Sequence, residues 1–350
     1  MVAISRRAAL GSALAASMIA IGPGFAKALA EGTLPPKSPA GIATTALSTR
    51  LRAAGVPPLR DNPVAYVEYC RSLGAGGIQH LITTDLPAVR KRLDELGMYY
   101  EGQVQLPTRL ADDLSTFENS LRASAALGAT VARAVSRPPQ GGTGRRYESF
   151  KSLAEYRTWQ AEADAIVERC LPLAEKYKVA IALENHKDRT VEEHVGFLRR
   201  FSSPWLGSLI DPGNNMSFME DPIETVTALA PWVKATSLKD MGVALYEDGF
   251  LLAEVPFGTG MTDQKALFAI MRKAFFATRS RCRCAPPAIS PAFPKHRRAG
   301  WRPGSQWSKP RPPGSMRWTA SARLSSSNAK RLTTARFSHG PAPIWLEMLA

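Results

Sequence analysis

Between Gly41 and Phe276 one unit recurs: a short apolar run, a turn, then a longer stretch whose apolar residues fall at helical spacing. Runs of roughly 4–8 apolar residues alternating with periodic stretches of roughly 10 or more read as strands alternating with helices. The pattern predicts strands over 42–49, 78–82, 99–104, 130–136, 179–184, 206–211 and 232–238. It predicts helices over 63–73, 86–96, 117–127, 153–177, 192–201, 222–230 and 263–275. Strand–helix alternation of this kind demands parallel strands, because each helix carries the chain back across the sheet.

Two parallel architectures compete. A doubly wound sheet wants a Gly-rich phosphate loop after its first strand, and 42–51 holds none. A TIM-type (β/α)8 barrel runs to roughly 250 residues, and residues 31–276 number 246. The expected fold class is therefore α/β, a (β/α)8-like TIM barrel. Its eighth strand is missing or replaced, because the pattern stops after the helix at 263–275, where that strand is due.

Composition changes at both ends. The formal net charge is +15, but residues 277–350 alone hold 14 Lys+Arg against one acidic residue, Glu347. Residues 31–276 hold 28 basic and 29 acidic side chains. The body is neutral, so no specific nucleic-acid partner is expected of it. Overall, 45% hydrophobic and 21% charged residues exclude a wholly disordered chain. Arg6 and Arg7 precede an apolar stretch at 8–21, and Ala28-Leu29-Ala30 fits an A-x-A cleavage site. Ser5-Arg6-Arg7-Ala8-Ala9-Leu10 resembles the twin-arginine export motif. Residues 1–30 thus read as a signal peptide, the export machinery as a partner, and the location as periplasmic or secreted. Residues 277–350 carry ten prolines and four of the seven tryptophans, and lose all periodicity. They read as a basic Pro/Arg/Ser-rich tail: disordered, translated out of frame, or binding an anionic surface. Cys70, Cys170, Cys282 and Cys284 suggest no disulfide framework, and Cys282-Arg283-Cys284 has the wrong spacing for a CxxC pair.

In a barrel the chemistry sits at the C-terminal ends of the strands. Those ends carry Gln79 and His80, Glu184-Asn185-His186, Asp211 with Asn214, and Lys239-Asp240. Strand alternation puts Glu184 and His186 on one face with Ala182 below, and pairs Ser237 with Lys239. A carboxylate facing a barrel interior must be paired or on a metal. Asp211 is a second carboxylate at the same end, and a divalent cation between the two would relieve their repulsion. Lys239 can place positive charge beside a developing enediolate oxygen. Bland readings stand beside these. Glu184 can cap or pair, Asp211 can build an Asx-turn before Pro212, and His80 and His186 can be rim residues. Lys239-Asp240 can be a local ion pair, and His194 follows Glu192-Glu193 on what reads as a solvated helix face.

VAIALENHKDRT (179–190), SLIDPGNN (208–215), ATSLKDM (235–241) and VPFGTGMTD (255–263) together resemble the xylose isomerase-like TIM barrels. These include sugar (phosphate) isomerases and epimerases, related in fold to the endonuclease IV type of apurinic endonuclease. The resemblance implies a divalent metal (Mn, Mg, Co or Zn) held by Glu, Asp, His and Glu from separate strands. Glu184 and Asp211 match the first two ligands. Ser237 stands where the His belongs, and the fourth, a strand-eight Glu, has no counterpart. Glu184 and Lys239 match catalytic positions, and His80, Asn185, His186 and Asn214 are expected at the substrate. Gly258 and Gly260 match the loop beside the pocket.

The function implied is a metal-dependent isomerase or epimerase acting on a sugar or related polyol or keto compound through an enediolate. A sugar-like small molecule is the expected partner. Ser237 and the absent Glu favour a different class, a non-catalytic or degenerate sugar-binding barrel. An endonuclease IV-like phosphodiesterase is a third alternative, and it would need a site rich in His.

Overall fold

The computed structural model of this chain describes residues 23–47, 62–138, 145–246 and 249–281. Residues 1–22 of the expected signal peptide, and the tail from 282 with Cys282 and Cys284, lie outside them. Among the described residues, seven parallel strands form one sheet in sequence order. They are β1 (Gly41–Ala43), β2 (Gly77–His80), β3 (Tyr99–Gln103), β4 (Val131–Ala134), β5 (Ala180–Glu184), β6 (Leu206–Ile210) and β7 (Val233–Thr236). Helix α1 (Pro23–Ala30) precedes β1, α2 (Pro63–Ser72) precedes β2, and α3 (Leu86–Leu96) follows it. Next come α4 (Ser115–Ala126) after β3, the short α5 (Arg146–Ser149) and long α6 (Leu153–Tyr177) after β4, and α7 (Val191–Phe201) after β5. Helix α8 (Pro222–Leu229) follows β6, and α9 (Gln264–Arg281) comes last. The sheet curls until β7 approaches β4 and β5 across its interior. The fold is TIM-barrel-like but incomplete, because β7 and β1 do not pair.

Local chemistry sets the helix starts. Thr190 accepts from the Glu193 amide at 3.3 Å while Glu193 accepts from the Thr190 amide at 2.9 Å, a capping box that opens α7. Ser152 accepts from the Glu155 amide at 3.1 Å to open α6, and Asp221 caps α8 through Ile223 and Glu224. Every residue of β5 and β6 is buried, as parallel strands covered on both faces require. Outward residues such as Ile181, Leu183 and Ile210 pack on Ile166, Cys170, Phe197 and Val226 of the helices. Burying each such Leu or Ile contributes about 1.5–3 kcal/mol. Inward, Ala182, Leu209 and Ala235 pack with Val131 and fill the interior. They form the floor on which the strand ends stand.

Four sequence expectations change. Strand β1 stops at Ala43 and the chain turns helical at 44–47, short of the expected 42–49. It is an edge strand, and the Thr44 hydroxyl donates to the Gln79 carbonyl at 3.1 Å, replacing the bond a longer strand would make. Residues 240–255 form a hairpin that the pattern did not anticipate, β8 (Asp240–Tyr246) antiparallel to β9 (Gly249–Val255). Within the segment read as a signal peptide, α1 buries Phe25 in the core around Tyr66 and Leu93, under the Arg92 guanidinium at 5.4 Å. His194 is fully buried and not solvated. It stands at the i, i+3, i+4 positions with Phe197 and Leu198, and this stripe is the face α7 turns inward. Cys70 and Cys170 are buried free thiols, each pushed up to about 12 by burial.

Asp240 organises the turn after the hairpin. Its carboxylate accepts from the amides of Gly258 at 3.0 Å and Gly260 at 2.8 Å and from the Thr262 hydroxyl at 2.5 Å. Gly260 is obligatory, because a Cβ there would sit 2.2 Å from the Asp240 carboxylate.

Two outcomes follow from these buried groups. Asp240→Ala leaves several buried donors unsatisfied and should cost on the order of 3 kcal/mol. It should also open 256–262 to limited proteolysis, readable with a urea unfolding curve. Burial, then the Arg189 guanidinium, pushes the His194 imidazole down to about 3. Below its unfolded value near 6.5, the unfolded chain takes up a proton that the folded chain refuses. Stability should therefore be level above pH 6.5 and fall toward pH 4, by roughly 1 kcal/mol per pH unit for this group. In His194→Phe the urea midpoints between pH 7 and 4 should fall less steeply than in the parent. Equal slopes would remove His194 from the account.

Candidate active site

Four strand ends meet at the mouth of the barrel. On β4, Ala132 and Ala134 face the helices and Arg133 faces inward, the alternation any strand imposes. The Arg133 Nε donates to Oε2 of Glu184, the last residue of β5. Glu184 is buried, and its other oxygen, Oε1, accepts from the Asn214 amide at 3.2 Å. Asn214 opens the 3-10 turn that follows β6, and its carbonyl Oδ1 accepts from Lys239 Nζ at 3.0 Å.

Lys239 is the hub. Its Nζ stands 2.9 Å from Asp211 Oδ2 and 2.9 Å from Glu254 Oε1. Asp211 also accepts from the Gly213 amide at 3.1 Å, so it builds an Asx-turn and holds a charge partner at once. Glu254 belongs to β9, and the hairpin bends it back over the site. Burial alone would lower the Lys239 ammonium, but Asp211 and Glu254 outweigh it and hold the group charged. Burial would raise the Glu254 carboxyl, and Lys239, Lys187 and Arg145 keep it below its usual range. Lys239 and Asp240 are not a local pair, since one serves the site and the other the 256–262 loop.

The loop after β5 adds more charge. The Lys187 backbone is left-handed, with φ 69°, and its carbonyl accepts from the Arg146 amide at 2.9 Å. Burial, then Lys239 and Arg145, pushes the Lys187 ammonium down to about 8. Burial, then Arg137, Arg133, Lys239 and Arg145, pushes the His186 imidazole down to about 3, so it is neutral at ordinary pH. Arg133, Arg137, Arg145, Lys187 and Lys239 thus lie around the carboxylates Glu184, Asp211 and Glu254, and Arg145 is itself paired with Glu148 at 2.8 Å.

The other expected residues divide. Asn185 is fully buried, with its amide committed to protein. It accepts from the Asp211 amide at 2.7 Å, and donates to the Asp211 carbonyl at 2.8 Å and to Asn215 at 2.9 Å. It positions Asp211 and offers nothing to the mouth. His80 faces the helix layer, edge-on to Tyr66 of α2 with ring centroids 4.6 Å apart, and burial pushes it down to about 4. The inward residue of that strand end is Gln79, which donates to Glu101 of β3 at 3.0 Å. Burial pushes the Glu101 carboxyl up. Arg133, Glu101 and Glu254 escaped sequence reasoning. For Arg133 the alternating VARA was the available signal. For Glu254 it was the Asp248-Gly249 dipeptide between two apolar alternations.

The donor set does not fit the metal site that the resemblance implies. Among the described residues no three His, Cys, Asp or Glu side chains are grouped to hold an ion. Both oxygens of Glu184 and both of Asp211 already have donors, two of them fixed cations. Ser237, at the third position, offers a neutral hydroxyl.

Several known proteins are similar to this chain. A 3-oxo-isoapionate decarboxylase of Pectobacterium atrosepticum is 27% identical over 244 residues, covering 66% of this chain and 80% of its own. A xylose isomerase domain protein from Planctomyces limnophilus superposes with TM-score 0.46 at 17% identity, covering 68% of this chain and 88% of its own. A 3-keto-D-glucoside 4-epimerase from E. coli gives TM-score 0.46 at 13% identity, covering 61% and 84%. The family description "Xylose isomerase-like TIM barrel" matches residues 67–310, a span that runs past the described residues. The chain belongs to the xylose isomerase-like TIM barrel family.

Proposed function

We propose that this chain is an enzyme acting on a small sugar-derived keto compound, an isomerase or epimerase that works through an enediolate. One observation carries the reading: a partly buried ammonium, Lys239, held 2.9 Å from each of two carboxylates at the barrel mouth. A cation fixed there stabilises an oxyanion that forms beside it, without reorganising during the reaction. In the first step a carboxylate takes the proton from the carbon next to the substrate carbonyl. The C–H electron pair becomes the enediolate double bond, and the carbonyl oxygen takes the negative charge opposite Lys239. Return of the proton to the former carbonyl carbon, with the neighbouring hydroxyl proton passing to the first oxygen, isomerises, and return to the original carbon from the opposite face epimerises. Glu184 and Glu254 enter the site from different elements, which supplies the two carboxylates that two-faced proton transfer needs. His186, neutral among cations, is suited to hydrogen bonding with hydroxyl groups. No phosphate loop follows the first strand, so an unphosphorylated substrate is favoured. Arg6, Arg7 and the apolar run at 8–21 support twin-arginine export, hence action in the periplasm or outside the cell.

A second reading is favoured by the cluster of cations at the mouth and by the relative named a decarboxylase. On a 3-oxo acid the C–C bond to the carboxylate breaks, its electron pair forms the enolate, and carbon dioxide leaves. The carbon then takes a proton. The same ammonium would hold the same oxyanion. The endonuclease alternative loses ground, because His80 and His194 both lie away from the mouth.

The test is NMR in deuterium oxide with free keto sugars, alongside carbon dioxide release from 3-oxo sugar acids. Deuterium entering next to the carbonyl supports the isomerase reading, and carbon dioxide release supports the second. Lys239→Ala should lower kcat by about 100-fold or more, the usual loss for one oxyanion partner. Lys239→Arg should retain part of the rate. A Lys239→Ala enzyme turning over like the parent would remove Lys239 from catalysis.

A further inference from the structure

We propose that this chain keeps no divalent metal at its barrel mouth, and that the Lys239 ammonium with the Arg133 guanidinium supplies the positive charge there instead. The inference rests on the enediolate reading only for what that charge does; whether a metal binds is independent of it. The argument starts from the four oxygens that ligation would need. On Glu184, Oε2 is taken by Arg133 and Oε1 by Asn214 at 3.2 Å. On Asp211, Oδ2 is taken by Lys239 at 2.9 Å and Oδ1 by the Gly213 amide at 3.1 Å. An entering dication would have to evict two partly buried cations from their partners or sit against them. Lys239 is doubly anchored, since Glu254 holds its other side at 2.9 Å. Eviction would strand the ammonium among Lys187 and Arg145.

Charge balance points the same way. A carboxylate cluster draws in a dication when its negative charge is uncompensated. Here all three carboxylates are already paired, Glu184 with Arg133 and both Asp211 and Glu254 with Lys239, so the mouth lacks that pull. Ser237 completes the case, since a neutral hydroxyl replaces the imidazole that would help fix a transition metal. The geometry also says what the ammonium can do. An Nζ shared among Asp211, Glu254 and Asn214 sits at a fixed point. There it can pass a hydrogen bond from a protein carboxylate to a substrate oxyanion as charge develops.

The experiment uses the full chain. Metal content is measured by plasma mass spectrometry after purification without chelator, and binding by calorimetric titration with manganese, cobalt and zinc chlorides. The expected result is far less than one metal per chain, and no saturable uptake at the mouth. A stoichiometric metal, or uptake abolished by Asp211→Asn, would overturn the inference whatever substrate is found. A second variant tests the cause. Lys239→Met combined with Ser237→His removes the ammonium and restores the imidazole. With folding confirmed by circular dichroism, it should gain uptake that the parent lacks, and a folded variant with no gain counts against Lys239 as the excluding group. Where turnover is found, it should survive excess EDTA. Turnover lost to EDTA and regained with metal would sink this inference and spare the enediolate reading. A metal-free chain inert toward every keto sugar and 3-oxo acid would do the reverse.

Discussion

An ammonium largely withdrawn from water is tolerable only if its charge is answered, and Lys239 is answered three times, by Asp211, Glu254 and Asn214. Each partner comes from a different place: the end of β6, the hairpin strand β9 and the turn after β6. Asn214 extends the network to Glu184, and Glu184 extends it to Arg133 on β4. One continuous chain of charge-assisted bonds therefore ties β4, β5, β6, β7 and β9 together at the mouth. Removing Arg133 would leave Glu184 buried with only the Asn214 side-chain amide to answer it, which is costlier than never having built the pair.

That network also explains why the hairpin lies where it does. Beyond β7 the chain reaches Lys239 and then Asp240, whose side chains take different partners. Lys239 anchors Glu254 of β9, while Asp240 gathers the amides of Gly258 and Gly260. The segment after β7 is thus pinned at both ends of the hairpin by two consecutive residues. The sheet beside it keeps two edges among the described residues, β1 and β7, and β1 is correspondingly short.

Chemically, the mouth resembles a prepared oxyanion site more than a ligand cage. Its positive charge is carried on side chains with fixed partners, and His186 there is held neutral by burial and then by its cationic neighbours. Enediolate formation by proton removal and by loss of carbon dioxide places the same charge on the same oxygen. The two proposed reactions therefore differ in what the substrate brings and share what the protein supplies.

Periodicity alone was enough to specify the strand–helix alternation. Helices α3 and α6 fall at 86–96 and 153–177 as the spacing of their apolar residues dictates, because burial of one face depends only on local period. Strand ends also located Glu184, Asp211 and Lys239, since alternation and the polar residue after an apolar run are local properties. Other features are not local. His80 and Gln79 are adjacent, and which of them faces inward depends on how β2 sits between β3 and helix α2. His194 reads as polar by name, but Phe197 and Leu198 carry it into the core. Glu254 reaches Lys239 only because a hairpin folds back 15 residues along the chain, and Arg133 meets Glu184 across 51. Ion pairs between residues so far apart leave no trace in spacing or composition. They exist because the curled sheet brings separate strand ends within reach in a place where an unpaired charge cannot be left.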